Sequence, residues 1–408
     1  MRKENLLIIG GGVSGMTAAV AAARFGEKPV ILEQLDQPGK KLLATGNGRC
    51  NLMNLNPPVY YGEPDFALRV LGADYLSELT DFWNSMGLYL RYDPEGRGYP
   101  CTFQAATVRD ALTAELRRLD VPVLTGRTVR RVRADHPGFT VESENGECFS
   151  AQRLILAAGG AAQPKLGGSG DGVSWLRELG HNVVPLQPAL TPLRTEPRSV
   201  SGLSGIRVRC ALRVCTDGKN VHREAGELLF TDVGISGICV MQCSRFAVPG
   251  RSECIVDFVP DLFPDGKDLT EALRARRARF APETPTALLQ GICVPRLAYA
   301  VCKQAGIPLR GERTDSLSDD QLDRIASVLR GYRLPITGVE GFDRAQVSAG
   351  GLDCAEVSPE NLESQIHPGL HITGELLNVD GDCGGYNLMF ACASGLRAGM
   401  NGRRKSLG

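Results

Sequence analysis

The segment that most constrains this chain runs from Asn5 to Glu33. Leu6-Leu7-Ile8-Ile9 is apolar without alternation, the mark of a short strand buried on both faces of a parallel sheet. Gly10-Gly11-Gly12-Val13-Ser14-Gly15 is a turn, and the alanine-rich run from Met16 to Phe25 predicts a helix that Gly26 stops. Pro29-Val30-Ile31-Leu32 reads as a second strand, ending on Glu33. Together these form a βαβ unit with Gly10-x-Gly12-x-x-Gly15 at its turn. Gly10 permits the tight turn, Gly12 lets backbone approach a pyrophosphate, and Gly15 lets helix pack on strand. The helix N-terminus then offers free N–H groups and a positive dipole end to phosphate. Ser14 lies in this contact stretch. Glu33 is placed to accept hydrogen bonds from adenosine ribose hydroxyls, and an acid there disfavours the 2′-phosphate of NADP. FAD or NAD fits this turn.

The next segment separates the two. An NAD enzyme continues into further βα units, whereas this chain continues into a glycine-rich basic loop from Gly39 to Asn54. Lys40, Lys41, Thr45, Gly46, Gly48, Arg49, Cys50 and Asn51 lie in it. Cationic and backbone donors along an extended ligand are what a flavin dinucleotide requires. Of the 48 glycines, many fall in such clusters, at 10–15, 39–48, 159–172, 350–351 and 374–385, without the period of collagen.

Lys+Arg and Asp+Glu both number 46, so the basic excess usual in nucleic-acid binders is missing and no nucleic-acid partner is expected. Thirteen cysteines, an odd count without any CxxC pair, read as small buried hydrophobes in a reducing cytosol. The start does not read as a signal peptide, since Glu4 sits in the basic region and Gly10-Gly11-Gly12 interrupts the apolar run. No stretch reaches the roughly 18 apolar residues of a membrane span. A cytoplasmic protein with no membrane partner is the expectation.

Amphipathic helices are predicted near 66–86 and 104–119, and Asn145-Gly146 predicts a hairpin between 139–143 and 147–149. Arg153 to Gly160 is another buried strand running into glycines, with Ala158 and Gly159 at its end. Beyond about Pro188 the pattern changes to short β-like runs, then to helices at 269–280, 286–304 and 318–331, with Pro295 breaking the second. A strand at 336–340 closes the insert, and glycine clusters resume. The expected organisation is an α/β domain from residues 1–189 and 345–408, split by an insert that is β-rich at 190–262 and 332–344 and helical at 263–331.

Gly39-Lys40-Lys41-Leu42, Thr45-Gly46-x-Gly48-Arg49-Cys50-Asn51 and Gly384-Gly385-Tyr386-Asn387 carry a specific resemblance. Gly96-Arg97-x-x-Pro100, Gly168-Ser169-Gly170-Asp171-Gly172, Pro188 to Leu193, Gly226 to Thr231 and Gly374-Glu375 extend it along nearly the whole chain. The chain resembles the bacterial (BaiN-like) family of FAD flavoproteins that includes aminoacetone oxidase and the clostridial 3-dehydro-bile-acid Δ4,6-reductase. The resemblance implies a Rossmann-like, glutathione-reductase-type FAD domain built from both chain ends and binding FAD non-covalently, with a β-barrel-like domain (190–262 and 332–344) and a small helical domain (263–331) inserted. It implies cofactor contacts from the 40–51 loop, from Val129 at the adenine, from Ala158 and Gly159, and from Gly374, Glu375 and Asp380. Gly384, Gly385, Tyr386 and Asn387 open a helix whose N–H groups can face the flavin N1–C2=O edge. Arg49, Cys50, Asn51 and Tyr386 are expected nearest the flavin; no acid or base is assigned.

Asp232, Ile238 and Leu52-Met53-Asn54 depart from the family pattern, so the substrate does not carry over. His367 and His371 are four apart, but Pro368-Gly369 keeps them off one helical face, and no metal is expected. Arg274, Arg276, Arg277 and Arg279 read as a solvated basic face, with an RNA footprint as the minor alternative. The expected activity is hydride transfer between flavin N5 and a small or hydrophobic organic substrate. NADH or NADPH would bind transiently as donor, since only one dinucleotide fingerprint is present. An amine oxidase using O2 is the alternative, and an RNA-associated flavoprotein a more distant one.

Overall fold

The computed structural model describes residues 1–135, 137–263, 267–281 and 283–403. The chain divides into two compact units, Met1–Pro188 with Phe342–Gly408, and Ala189–Gly341.

The first unit is built on a twisted sheet. Its parallel part contains β1 (Arg2–Ile9), β2 (Pro29–Leu32), β3 (Cys148–Leu156) and β4 (Leu370–Ile372). β1 lies between β2 and β3, and β4 pairs on the far side of β3. The strands Phe139–Ser143 and Val129–Ala134 continue from β3 as an antiparallel extension. The register places Ile9, Leu32, Leu156 and Ile372 in one row, so four parallel strands end in step. Ligands of open α/β sheets bind beyond such carboxyl ends.

Two helices cover this sheet, α1 (Val13–Arg24) after β1 and α2 (Tyr386–Met400) after β4. Both are rich in small residues, and the reason is their mutual approach. A Cβ on Gly395 would stand 2.3 Å from the Ser14 carbonyl oxygen, and one on Gly399 2.3 Å from that of Ala18. Burial of β1, α1, β3 and α2 in one continuous core gives the unit its stability.

In the second unit a closed antiparallel barrel follows the order Leu193–Thr195, Gly234–Ser236, Lys219–Phe230, Arg207–Thr216, Ser252–Asp257, Tyr332–Val339. Helices Lys267–Arg279, Pro295–Gln304 and Asp319–Arg330 share its core: Leu269, Leu297 and Leu322 cluster with barrel residues Leu212, Phe230 and Val256.

Three details differ from the sequence reading. The segment 66–86 is two helices, Pro64–Leu71 and Tyr75–Asn84, parted where Gly72 takes a φ of 80°. The helix expected over 286–304 begins only at Pro295, because proline is favoured in a first turn that needs no N–H donor. Of the four arginines at 274–279, Arg274 and Arg279 are exposed as expected of a solvated face, and Arg276 and Arg277 are half-buried. Arg274 and Arg277 pair with Asp319 at 3.2 and 2.8 Å, Arg276 donates to the Leu288 carbonyl at 2.6 Å, and Arg279 lies over the Phe280 ring.

Candidate cofactor site

The loops leaving the four aligned strands converge. Gly10 follows β1 with a φ of 107°, and a Cβ there would meet the Ala157 carbonyl oxygen at 2.3 Å. Ala157 in turn donates its N–H to Ile9 at 2.8 Å, so the β1 and β3 ends are locked together beside Ala158 and Gly159. A Cβ on Gly15 would stand 1.9 Å from the Gly10 carbonyl oxygen, which fixes how closely α1 begins against the turn. Gly12 is different: a Cβ there would meet nothing within 4 Å, and the residue is exposed. Gly12 caps α1 without a side-chain hydrogen bond. The helix therefore starts with unsatisfied N–H donors over open space, which is the chemistry a pyrophosphate needs.

Glu33 closes the other side of this turn. Its two carboxylate oxygens accept from the backbone N–H groups of Gly11 and Leu35, both at 2.8 Å. Burial raises its carboxyl, and those backbone donors pull it back. The segment before Val129 runs alongside, with Arg127 donating its N–H to the Glu33 carbonyl at 2.9 Å. Val129 itself is buried at the start of its strand.

The 40–51 loop opens with the short helix Lys40–Ala44. Lys40 pairs with Asp36 at 2.5 Å. Lys41 reaches Glu375, just after β4, at 2.6 Å, and the other Glu375 oxygen accepts the Ser348 N–H at 2.9 Å. Thr45 caps this helix from its hydroxyl to the Leu42 carbonyl at 2.7 Å, and Gly46 and Gly48 take left-handed backbone beyond it. Arg49 is exposed, Asn51 half-buried, and Cys50 fully buried. Burial pushes the Cys50 thiol up to about 12, so it is a neutral packing group near neutral pH.

The last contributions come from the C-terminal block. Gly374 packs against the Ser14 side chain and donates its N–H to Ser394 at 3.0 Å. Asp380 is buried on the strand Val379–Gly381. Gly384 and Gly385 lead into α2, whose first turn has no side-chain cap. Asn54 holds this entry by donating to the Gly384 carbonyl at 2.9 Å. Tyr386 is largely buried, and its ring packs edge-on against Tyr60. The Asn387 amide is committed to the turn before the helix, bonding Gly381 N–H at 2.8 Å and the Gly381 carbonyl at 2.7 Å.

The structure thus brings together Gly10, Gly12, Ser14, Gly15, Glu33, Ala158, Gly159, Gly374, Glu375 and Lys41. It turns the side chains of Tyr386 and Asn387 inward to build the α2 entry. Sequence reasoning missed Ser348 and Ser394, isolated hydroxyls with no surrounding motif. Ser348 Oγ accepts the N–H groups of Ala161 and Ala162 at 2.9 and 3.1 Å. Among the described residues no group of three or more His, Cys, Asp or Glu could hold a metal, and no helix is long and apolar enough to cross a membrane.

Two uncapped helix N-termini, an acid at the end of β2 and a glycine with open space beside it fit FAD. Fold and site define an FAD-dependent oxidoreductase with a Rossmann-type dinucleotide domain. The profile of the HI0933-like protein Rossmann domain family matches residues 4–401, and the chain belongs to that family. It is 38% identical over 406 residues to the 3-dehydro-bile acid delta(4,6)-reductase of Clostridium scindens, covering 96% of this chain and 97% of the relative. It is 29% identical over 400 residues to the ribosomal RNA dihydrouridine synthase of Escherichia coli, covering 97% and 96%. Among solved structures, the 3-ketosteroid-Δ4-(5α)-dehydrogenase of Rhodococcus jostii shares the fold, with a TM-score of 0.51 at 15% identity over 99% of this chain and 97% of the other.

Proposed function

We propose that this protein reduces a carbon–carbon double bond conjugated to a carbonyl group in a small or hydrophobic organic substrate, with NADH or NADPH as a transient donor. The observation that carries the reading is the 38% identity, over nearly the full length of both chains, to a reductase named for acting on a 3-dehydro bile acid. The E. coli relative is named for making dihydrouridine, a uridine whose ring double bond, conjugated to a carbonyl, has been reduced. The reaction class is therefore common to both relatives while the substrates differ.

When bound, FAD supplies hydride exchange at its flavin N5. The α1 N-terminus and Gly12 would hold the pyrophosphate, Glu33 the ribose, and Lys41 with Glu375 the middle of the ligand. The N–H groups opening α2 would stabilise negative charge on the flavin's pyrimidine edge. Cys50 forms a neutral wall.

The E. coli relative supports a second reading, in which the substrate is ribosomal RNA. The balanced charge weighs against it, and so does the pairing of Arg274, Arg276 and Arg277 within their own unit. An anaerobic titration separates the two. NADH or NADPH should bleach the flavin bands, and a 3-oxo-4,6-diene steroid should restore them. Failure of both nucleotides to bleach overturns the reading. Restoration by a uridine-containing ribosomal RNA fragment, with the steroid inert, overturns the small-substrate assignment.

A further inference from the structure

Gly384 and Gly385 stand in sequence just before α2, with φ of 132° and 111°, backbone that L side chains rarely adopt. A peptide between two glycines has two orientations open to it. Turning this one over would exchange the places of its carbonyl and its N–H. It would also bring φ of Gly385 to about −70°, a value open to any residue. The backbone alone therefore does not select the observed orientation.

The selection comes from the strand Met53–Asn54. This strand lies against the turn, where a Cβ on Gly385 would meet the Met53 carbonyl oxygen at 2.6 Å. Asn54 Nδ2 donates to the Gly384 carbonyl at 2.9 Å, while Asn54 Oδ1 accepts the Asn56 N–H at 2.9 Å. With its oxygen committed to Asn56, the amide can offer the turn only its NH2 group, which an N–H of the flipped peptide could not use. Asn54 is 3% exposed, so water does not compete for the bond. The far end of the same turn is pinned separately, by the two bonds between the Asn387 amide and Gly381.

In a trans peptide the carbonyl and the N–H point in opposite directions. The Gly384 carbonyl faces Asn54, so the Gly385 N–H is turned away from that strand. No group among the described residues accepts it. It stands immediately before the first turn of α2, which has no side-chain cap. The free donors of α2 are thus extended by one, and a flipped peptide would put a carbonyl oxygen in that place.

We infer that Asn54 is a positioning residue that sets the flavin's reduction potential through the Gly384–Gly385 peptide. In the observed orientation the peptide adds a donor to the positive end of α2, which favours negative charge on the flavin's pyrimidine edge. Turned over, the same peptide opposes that charge. By holding the carbonyl, Asn54 raises the potential. The inference rests on FAD lying at the opening of α2 and goes beyond it by naming the residue that fixes the field there.

The test is the midpoint potential of the FAD-loaded protein, measured by anaerobic reduction against a reference dye. Asn54→Leu, similar in shape but without a donor, should lower the midpoint by about 30 mV, a tenfold loss of preference for reduced over oxidised FAD in a two-electron couple. Asn56→Ala loses only its side-chain bond to the Glu95 carbonyl and should leave the midpoint unchanged. A purely structural role would weaken both redox states alike and move neither value. An unchanged midpoint in yellow Asn54→Leu protein overturns the inference alone, as does an equal shift in Asn56→Ala. A crystal structure of the oxidised native holoenzyme decides without any variant: the Gly384 carbonyl should lie on Asn54, and a carbonyl turned toward the flavin overturns the inference. A native protein that takes up no FAD overturns the cofactor assignment together with it.

Discussion

Lys41 and Glu375 stand 334 positions apart in the chain and 2.6 Å apart in the fold. The pair ties the basic loop to the end of β4, and Ser348 holds the carboxylate from behind. Glu375→Gln keeps an acceptor for the Ser348 N–H but drops the charge facing Lys41. Both partners are partly exposed, so the loss should be roughly 1 kcal/mol, or about fivefold in FAD affinity, read by titrating apoprotein with FAD. Unchanged affinity would mean the pair does not shape the cradle. His371, on β4, is a second residue-scale case. It is wholly buried, its Nδ1 donates to the Asn361 carbonyl at 2.8 Å, and its Nε2 has no hydrogen-bond partner among the described residues. Burial, then the charge of Arg153, pulls its imidazole down to about 4. An unfolded histidine titrates near 6.5. Below about pH 6.5 the unfolded chain takes up a proton that the native imidazole refuses, so stability falls with pH until about pH 4. Urea unfolding should show about 2 kcal/mol lost to this group between pH 7 and pH 5, and His371→Gln should flatten that dependence. An equally steep dependence in the variant would assign it to other groups.

At the scale of elements, the β1–turn–α1 unit separates folding from binding. A Cβ on Gly15 collides with the Gly10 carbonyl, whereas one on Gly12 touches nothing in the protein. Gly15→Ala should therefore cost about 3 kcal/mol or more in apoprotein stability. Gly12→Ala should leave apoprotein melting within about 2 °C, yet weaken FAD at least tenfold by blocking the phosphate's approach. Normal FAD affinity in Gly12→Ala would show that the ligand does not pass there. This unit was legible in the sequence because strand, glycine turn, helix and acid are local and each has its own residue signature. The helix break at Gly72 was not, since apolar periodicity runs through it from both sides. The roles of Tyr386 and Asn387 were half legible. Their motif marks the start of α2, but which side chains turn inward is decided by Tyr60 and Gly381, far off or across a turn.

At the scale of the molecule, the glycine clusters at both chain ends belong to one unit, and the sparser middle of the chain folds into the barrel and its helices. A barrel-like insert was expected only through the family resemblance, because its strand order depends on pairings such as Leu193 with Val339 that no local pattern encodes. The arginine run on Lys267–Arg279 shows the same limit: charge is read easily from sequence, but partners such as Asp319 are not. What ties both scales together is the cofactor. The most direct test is the visible spectrum of the purified protein, before and after adding FAD. The account predicts flavin bands and release of one FAD per chain on acid denaturation. A colourless protein that takes up no FAD when it is supplied would contradict it.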